Sequence, residues 1–149
     1  MKRVYVKEEA CIGCGLCQVY CQVEHSRSKD IIKAFLRETP EPLPRIRVET
    51  NEDICLAIQC RHCTEPWCVY SCPTGAMHKD PVTGMVCIDP EKCIACWTCI
   101  IACPYGALTK DIGNKTVVNC DLCPERELPA CVANCPNEAL VVSVDGGKE

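Results

Sequence analysis

The cysteines of this chain are numerous and recur at regular short spacings, as metal ligands do. The chain has 149 residues and 18 cysteines. Sixteen of them fall into four groups: Cys11, Cys14, Cys17 and Cys21; Cys60, Cys63, Cys68 and Cys72; Cys93, Cys96, Cys99 and Cys103; Cys120, Cys123, Cys131 and Cys135. The third group has the bacterial ferredoxin pattern C-x2-C-x2-C-x3-C-P, and the first departs from it only at Gln22, where proline would stand. Sixteen thiolates suffice for four 4Fe-4S clusters.

Cysteine runs of this kind work in pairs. Three cysteines lie on one loop around a cluster, and in two-cluster ferredoxins the fourth ligates the other cluster. Adjacency in the sequence favours pairing the second group with the third, which leaves the first with the fourth. The expected ligand sets form a row of four: site I, Cys11, Cys14, Cys17 and Cys135; site II, Cys60, Cys63, Cys68 and Cys103; site III, Cys93, Cys96, Cys99 and Cys72; site IV, Cys120, Cys123, Cys131 and Cys21.

Disulfides and zinc are the competing uses of clustered cysteines. A cysteine content above about 8–10% is typical of small secreted disulfide scaffolds, but the N-terminal residues contain no apolar stretch of a signal peptide. We therefore expect a cytoplasmic location, where cysteines stay reduced and bind metals. Zinc sites combine two separated C-x2-C pairs, whereas here a third cysteine follows at once. The spacing favours iron-sulfur clusters over both alternatives.

The remaining cysteines and the histidines are expected to have no direct chemical role. Cys55 and Cys87 lie in apolar stretches, which is typical of small hydrophobic residues on strands facing a core. Histidine can ligate iron or relay protons, so the candidates for these roles are His25, His62 and His78. Because cysteines already complete every ligand set, we expect no histidine ligand and no catalytic residue.

Other side chains near the ligands are candidates for tuning or shielding a cluster. Lys92, Arg61 and Asp121 are each adjacent to a ligand in the sequence, and local charge influences cluster potentials. Trp67 and Trp97 lie inside ligand loops, where we expect them to exclude water. The alternative interpretation is that Lys92, Arg61 and Asp121 are ordinary exposed charges.

Composition indicates a small protein organised around its cofactors. Apolar residues make up 48% of the chain, but only 5% of the residues are aromatic, so clusters that cross-link distant segments would replace much of the organic core. The formal net charge is -4, which argues against a nucleic-acid partner and favours partners with basic faces. The sequence contains no run of about 18 apolar residues, so it predicts no membrane-spanning helix.

The sequence repeats a unit of strand, cluster loop, short helix, turn and strand. Three tails after a last ligand are alike, C-P-T-G-A-M, C-P-Y-G-A-L and C-P-N-E-A-L, and each predicts a turn into a strand. Thr83-Gly84 and Gly113-Asn114 predict hairpin turns. We expect a small, loop-rich α+β fold with tandem ferredoxin-like lobes. Residues 1–23 and 112–149 would form the outer lobe and residues 60–111 the inner lobe.

Residues 24–59 form an insert that breaks the repeat. Asp30 to Arg37 predict a short helix with Asp30 near its start. Pro40 to Pro44 predict a stiff, extended linker, and Arg45 to Glu49 alternate as in a strand. We expect the insert to pack over the outer lobe or to form a partner surface, with structural filler as the alternative.

The four motifs in this order resemble the four-cluster, polyferredoxin-like subunits of the dimethyl sulfoxide reductase iron-sulfur subunit family. The resemblance rests on C-R-H-C-x4-C-x3-C-P-x-G-A-M, I-D-P-x-K-C-x2-C and C-D-L-C. Residues 21–30 and the proline-rich stretch before Arg45 are most similar to the iron-sulfur subunit that accompanies nickel carbon monoxide dehydrogenase. Small subunits of tungsten aldehyde:ferredoxin oxidoreductases, hydrogenases and formate dehydrogenases are similar as well. The resemblance implies two ferredoxin-like lobes and the ligand pairing given above.

Three functions are compatible with these patterns. The first is a non-catalytic subunit that relays electrons between a catalytic oxidoreductase and a second redox protein. Carbon monoxide dehydrogenase is the preferred candidate for the oxidoreductase. Complete sets of four cysteines favour it, because they leave no iron open for a substrate. An enzyme would need a three-cysteine cluster or a nucleophile with its base. A homo-oligomer that assembles into an electron conduit is the third interpretation.

Overall fold

The computed structural model describes residues 2–51 and 54–143. Within these residues the strands form two-stranded antiparallel sheets only, pairing β1 with β8, β2 with β3, β4 with β5 and β6 with β7. The strands are β1 Arg3–Val6, β2 Ile46–Asn51, β3 Ile54–Gln59, β4 Met77–Lys79, β5 Val86–Ile88, β6 Thr109–Asp111, β7 Thr116–Val118 and β8 Leu140–Ser143. The helices are α1 Leu16–Glu24, α2 Ile31–Leu36, α3 Trp67–Tyr70, α4 Thr98–Ala102 and α5 Ala130–Ala133. The fold is therefore a small, loop-rich α+β fold, as predicted.

The two ends of the described chain pair with one another. Val4 in β1 lies opposite Val142 in β8, and the Lys7 N–H extends the pairing by donating to the Ala139 carbonyl at 2.7 Å. Helix α1 follows the first strand, helix α5 precedes the last, and the two helices pack together. The first and fourth cysteine groups consequently share one part of the molecule.

The middle of the chain forms two hairpins beside two packed helices. The predicted turn at Thr83-Gly84 connects β4 to β5, and the predicted turn at Gly113-Asn114 connects β6 to β7. Gly84 has a φ of 73°, a left-handed conformation that glycine adopts without steric cost. Helix α3 packs on α4. Both predicted hairpins are confirmed, whereas the residue bounds of the lobes stay a prediction.

The insert contains the predicted helix and strand. The Asp30 carboxylate caps α2 by accepting the Lys33 N–H at 2.9 Å, which satisfies one of the free donors of the first turn. Strand β2 pairs with β3 and packs on α1. Arg47 donates to the Gly106 carbonyl at 2.6 Å. The insert therefore contacts both α1 and the tail of the third cysteine group.

The organic core is thin. Cysteines and alanines make up much of the buried apolar set, while Met77, Val86 and Val117 are its large, fully buried members. Cys55 and Cys87 are half-buried rather than fully buried, because two-stranded sheets leave one face poorly covered. Among the described residues, the helices are all too short or too polar to span a bilayer.

Candidate metal centres

Three cavities are each lined by four cysteines. Their atom-free volumes, part of which is open to solvent, are ≈ 360, ≈ 390 and ≈ 310 Å³, so their sizes are similar. Each takes three cysteines from one group and the fourth from another. The lining sets are Cys11, Cys14, Cys17 and Cys135 at site I, Cys60, Cys63, Cys68 and Cys103 at site II, and Cys72, Cys93, Cys96 and Cys99 at site III.

The remaining four cysteines of the groups are all buried. Burial, followed by the charges of Cys21 and Cys123, raises the pKa of Cys131 to about 12. Burial also raises the pKa of Cys120, to which Cys131 and Cys21 add. These four thiols, which we term site IV, therefore lie within electrostatic range of one another.

Burial raises the pKa of several thiols in the metal-free chain and so keeps them protonated. It is the main cause that raises the pKa of Cys17 and Cys60 to about 11 and that of Cys68 to about 12. A metal must displace these protons, since thiolate is the ligand form. At Cys72 burial acts in the same direction, but the Met77 N–H leads a set of hydrogen bonds that together lower the pKa.

A left-handed residue precedes the second cysteine in every group. These residues, with their φ angles, are Gly13 (67°), His62 (47°), Ala95 (55°) and Leu122 (60°). Only glycine adopts this conformation without steric cost. The shared angle shows that the four loops turn in the same way despite their different spacings.

The last cysteine of each group accepts a backbone N–H. In three groups the donor belongs to the following C-P tail: Met77 to Cys72 at 3.4 Å, Ala107 to Cys103 at 3.5 Å, and Ala139 to Cys135 at 3.2 Å. The first group has no such tail, and the Arg45 N–H of the insert donates to Cys21 Sγ at 3.2 Å. Hydrogen bonds to sulfur are one of the means by which a protein adjusts cluster potentials.

A charged cluster of His25, Arg45 and Asp121 surrounds Cys21. His25 Nδ1 donates to the Cys21 carbonyl at 2.7 Å, and its Nε2 donates to Asp121 at 3.2 Å. Both ring nitrogens donate, so the ring is an imidazolium. Burial alone would lower the pKa of His25, but the hydrogen bonds to Asp121 and Cys21 raise it to about 9. Arg45 forms an ion pair with the same carboxylate.

His62 lies in the interior beside site II. Its side chain is fully buried, and Nδ1 accepts the Val86 N–H at 3.0 Å, so the proton of the neutral ring is on Nε2. Burial, with a smaller effect of Arg3, lowers the pKa of His62 to about 4. Among the described residues its Nε2 has no hydrogen-bond partner.

The four sites have a definite order of proximity. Cys17 lies within electrostatic range of Cys131, so site I is near site IV. Cys60 lies within electrostatic range of Cys120, so site IV is near site II. Sites II and III share the third cysteine group, with Cys99 in helix α4 and Cys103 at its end. The order along the molecule is therefore I, IV, II, III.

The donor sets fit iron-sulfur clusters, and comparison with known proteins agrees. A family model described as "4Fe-4S dicluster domain" matches residues 52–145, and one described as "4Fe-4S binding domain" matches residues 8–24. The chain belongs to the 4Fe-4S dicluster family. It is 40% identical over 148 residues to "Electron transport protein HydN" of Escherichia coli strain K12, covering 88% of this chain and 81% of that protein.

A second relative agrees with an electron-transfer role, and a solved structure shares the fold. The dicluster protein is 38% identical over 133 residues to "Aliphatic sulfonate oxidoreductase, polyferredoxin-like subunit" of Pyrococcus furiosus, covering 89% of this chain and 70% of the relative. A chain of the active site complex BamBC of benzoyl coenzyme A reductase has the same fold, with a TM-score of 0.55, 20% identity and coverage of 100% and 79%. The protein is thus an electron-transfer iron-sulfur protein of the kind found in oxidoreductase complexes.

The two ends of the row of sites have the most accessible cysteines. Cys14 at site I and Cys96 at site III are the two exposed cysteines. Trp97 lines site III beneath the Lys110 ammonium, which lies 5.4 Å from the ring centroid. Trp67 lines site II but is itself exposed, so it covers the site only from one side.

Sequence reasoning missed the contribution of the insert to site IV. It named Asp121 as a candidate for tuning but assigned no role to His25 or Arg45. Arg45 is 24 residues from Cys21, so no local pattern links the two. The available signal was the absence of a C-P tail after Cys21, which left the sulfur without the donor that the other groups have.

Proposed function

We propose that this chain is a non-catalytic electron-transfer subunit that holds four 4Fe-4S clusters, one at each of sites I to IV. The observation that carries the proposal is the complete set of four thiols at every site. A 4Fe-4S cluster supplies one-electron chemistry. Because each set is complete, the protein offers no open iron position at which a substrate could react.

The positions of the cysteines support a relay. Cys17 lies within electrostatic range of Cys131, and Cys60 lies within range of Cys120, so sites I and II would both lie near site IV. Exposed Cys14 and Cys96 lie at opposite ends of this order. All four cysteines of site IV are buried, which excludes water, and the exposed cysteines at the ends would be the places of exchange with other redox proteins.

The proposal includes a division into two ferredoxin-like lobes. Residues 1–23 and 112–149 would form the outer lobe around sites I and IV, and residues 60–111 the inner lobe around sites II and III. The pairing of β1 with β8 and the packing of α3 on α4 support this division. Residues 24–59 would be an insert that supplies Arg45 to site IV.

The partners would be a catalytic oxidoreductase and a second redox protein in a reducing compartment such as the cytoplasm. Carbon monoxide dehydrogenase is our first candidate, supported by the resemblance of residues 21–30 and of the stretch before Arg45 to its iron-sulfur subunit. Tungsten aldehyde oxidoreductases, hydrogenases and formate dehydrogenases are the alternatives. Relatives that are named as subunits of oxidoreductases, such as the polyferredoxin-like subunit of Pyrococcus furiosus, support a catalytic partner of this general kind.

Metal analysis of the anaerobically purified chain tests the cluster count. We expect about 16 iron and about 16 sulfide per chain, because four 4Fe-4S clusters need sixteen cysteine ligands. Mössbauer spectroscopy should show the iron in 4Fe-4S clusters only. About half that iron would reduce the count to two clusters, and zinc as the main metal would overturn the proposal.

A further inference from the structure

We infer that the outward face of helix α2 is a docking surface for an acidic protein partner; the inference rests on the electron-transfer role proposed above. The helix lies in the insert, outside the cysteine repeat. Its large apolar side chains are in contact with solvent, with exposed fractions of 47% for Ile31, 61% for Ile32, 38% for Phe35 and 79% for Leu36. These four residues define the α2 face.

Helix α2 has the opposite polarity to an ordinary surface helix, which turns its apolar stripe toward the core. Its fully buried residue is Ala34. At about 100° per residue, the four exposed apolar residues cover an arc of about 140°. A contiguous apolar surface of this kind is typical of an interaction site.

Basic residues surround the α2 face. Arg27, Lys29, Lys33 and Arg37 lie within or beside the helix, and Asp30 is the one acidic residue between Arg27 and Arg37. The Asp30 carboxylate is occupied as the helix cap. Arg27 forms an ion pair with Glu38, and Lys29 forms one with Glu24. Within residues 2–51 and 54–143, Lys33 and Arg37 form no ion pair with another side chain, so these two residues give the rim its unpaired positive charge. The surface is therefore apolar at its centre and basic at its rim.

This local charge is opposite to that of the whole protein, whose formal net charge is -4. The net charge favours partners with basic faces, but the α2 face selects an acidic one. A partner with an apolar cleft and an acidic rim would be attracted to α2 and repelled by the rest of the surface. Such a distribution of charge fixes orientation and excludes other partners.

Two other occupants fit the α2 face less well. A symmetric dimer would place one α2 face against the other, which brings two basic rims together. An anionic membrane would attract the rim but repel the acidic body of the protein. A separate acidic protein satisfies both the apolar face and the charges.

The α2 face lies close to the outer cluster sites. Helix α2 packs on α1, and α1 contains Cys17 of site I and Cys21 of site IV. A partner docked on α2 would be held against this part of the molecule. The face would supply affinity, while the exposed end at Cys14 is the place where the relay is accessible.

The test uses the tagged holoprotein isolated with its native complex from the source cells. Mass spectrometry identifies the large subunit that copurifies with the wild-type chain, and that purified subunit is then titrated against each variant. We expect Phe35→Glu/Leu36→Glu to weaken the dissociation constant by about a hundredfold or more. Lys33→Glu/Arg37→Glu should weaken binding and reduce its dependence on salt. Val82→Glu, at a residue that is 91% exposed in the β4–β5 turn, is the matched control and should leave binding unchanged.

Several outcomes would overturn the inference. Undiminished binding by Phe35→Glu/Leu36→Glu removes the α2 face as the docking surface. If light scattering shows a wild-type dimer that this variant converts to a monomer, the occupant is a second copy. If the wild-type chain floats with vesicles of equal phosphatidylglycerol and phosphatidylcholine and the variant does not, the occupant is a membrane.

Failure of docking can be separated from failure of the relay. The variants should keep wild-type iron content and wild-type reduction by methyl viologen, because none of the changed residues touches a cluster site. Loss of binding with both properties retained supports the docking face. A wild-type chain without redox-active clusters would overturn the proposed function while leaving the titration interpretable.

Discussion

The backbone N–H of Arg45 donates to the Sγ of Cys21 at 3.2 Å, and the Arg45 guanidinium forms an ion pair with Asp121 beside Cys120. One residue of the insert thus contacts a cysteine of the first group and the loop of the fourth. Cys21 lies inside helix α1, where no turn can supply the N–H that follows the other last ligands. The long-range contact takes the place of a local one.

The first prediction concerns the potential of site IV. Asp121→Asn removes a negative charge beside the site and leaves His25 and Arg45 without their anion, so the midpoint potential of this cluster should rise. The free energy of unfolding should fall by roughly 1–3 kcal/mol, because the broken pair is only partly exposed. Potentiometric titration followed by electron paramagnetic resonance measures the first effect. Asp80→Asn, in the exposed β4–β5 turn, is the control; equal potentials in both variants would contradict the prediction.

The second prediction uses the repeated C-P tails. Glu138 has a φ of 50° at the position where the other two tails have Gly75 and Gly106. Glu138→Gly should relieve left-handed strain and stabilise the protein by about 0.5–1 kcal/mol. The midpoint of anaerobic thermal unfolding should rise by about 1–4 °C. Gly75→Glu is the reciprocal variant and should lower the midpoint, because Gly75 has a left-handed φ of 68°. A Cβ there meets no atom within 4 Å, so the cost comes from the backbone conformation alone.

The third prediction concerns the close approach of the insert to site I. A Cβ on Gly13 would lie 2.9 Å from Cys55 Sγ, and the φ of Gly13 is 67°. Gly13→Ala should therefore destabilise the protein by about 1–3 kcal/mol through overpacking and backbone strain. Adding Cys55→Ala should recover only part of the overpacking cost, because the Thr50 methyl at 3.2 Å remains, and it should recover none of the strain.

Cys55→Ala alone also tests whether Cys55 has only a packing role. This variant should keep the wild-type iron content, as measured by metal analysis. Loss of four iron atoms would make Cys55 a ligand and contradict the assignment.

The fourth prediction concerns removal of the clusters. Chelation of iron under reducing conditions should unfold the chain, because much of the buried apolar set is cysteine and alanine and the sheets have only two strands. Circular dichroism should lose its strand and helix signals together with the cluster absorbance. A chain that keeps its secondary structure after complete loss of iron would show that the organic core suffices.

Local features of the structure could be predicted from the sequence. The spacing of the cysteines indicates iron-sulfur chemistry, and the Thr83-Gly84 and Gly113-Asn114 turns were both predicted from short patterns. Asp30 as the start of α2 follows from ordinary capping preferences. In each case the determining residues lie within a few positions of one another.

Long-range features could not be predicted in this way. The pairing of Val4 with Val142 joins residues near opposite ends of the chain, and short strands contain no information about their partners. The periodicity of Ile31, Ile32, Phe35 and Leu36 predicts a helix, but such a pattern normally predicts the inward face. Here the face is outward, because the small side chain of Ala34 lets the helix pack on its opposite side.

The pairing of the two chain ends has a consequence for biosynthesis. Under the proposed ligand sets, an emerging chain has every cysteine of sites II and III once residue 103 has been made. Sites I and IV must wait for Cys131 and Cys135, so Cys11 to Cys21 remain without metal while most of the chain is synthesised. During that interval the earliest thiols are the ones most open to oxidation. Maturation would therefore begin in the middle of the molecule and finish when its first and last strands meet.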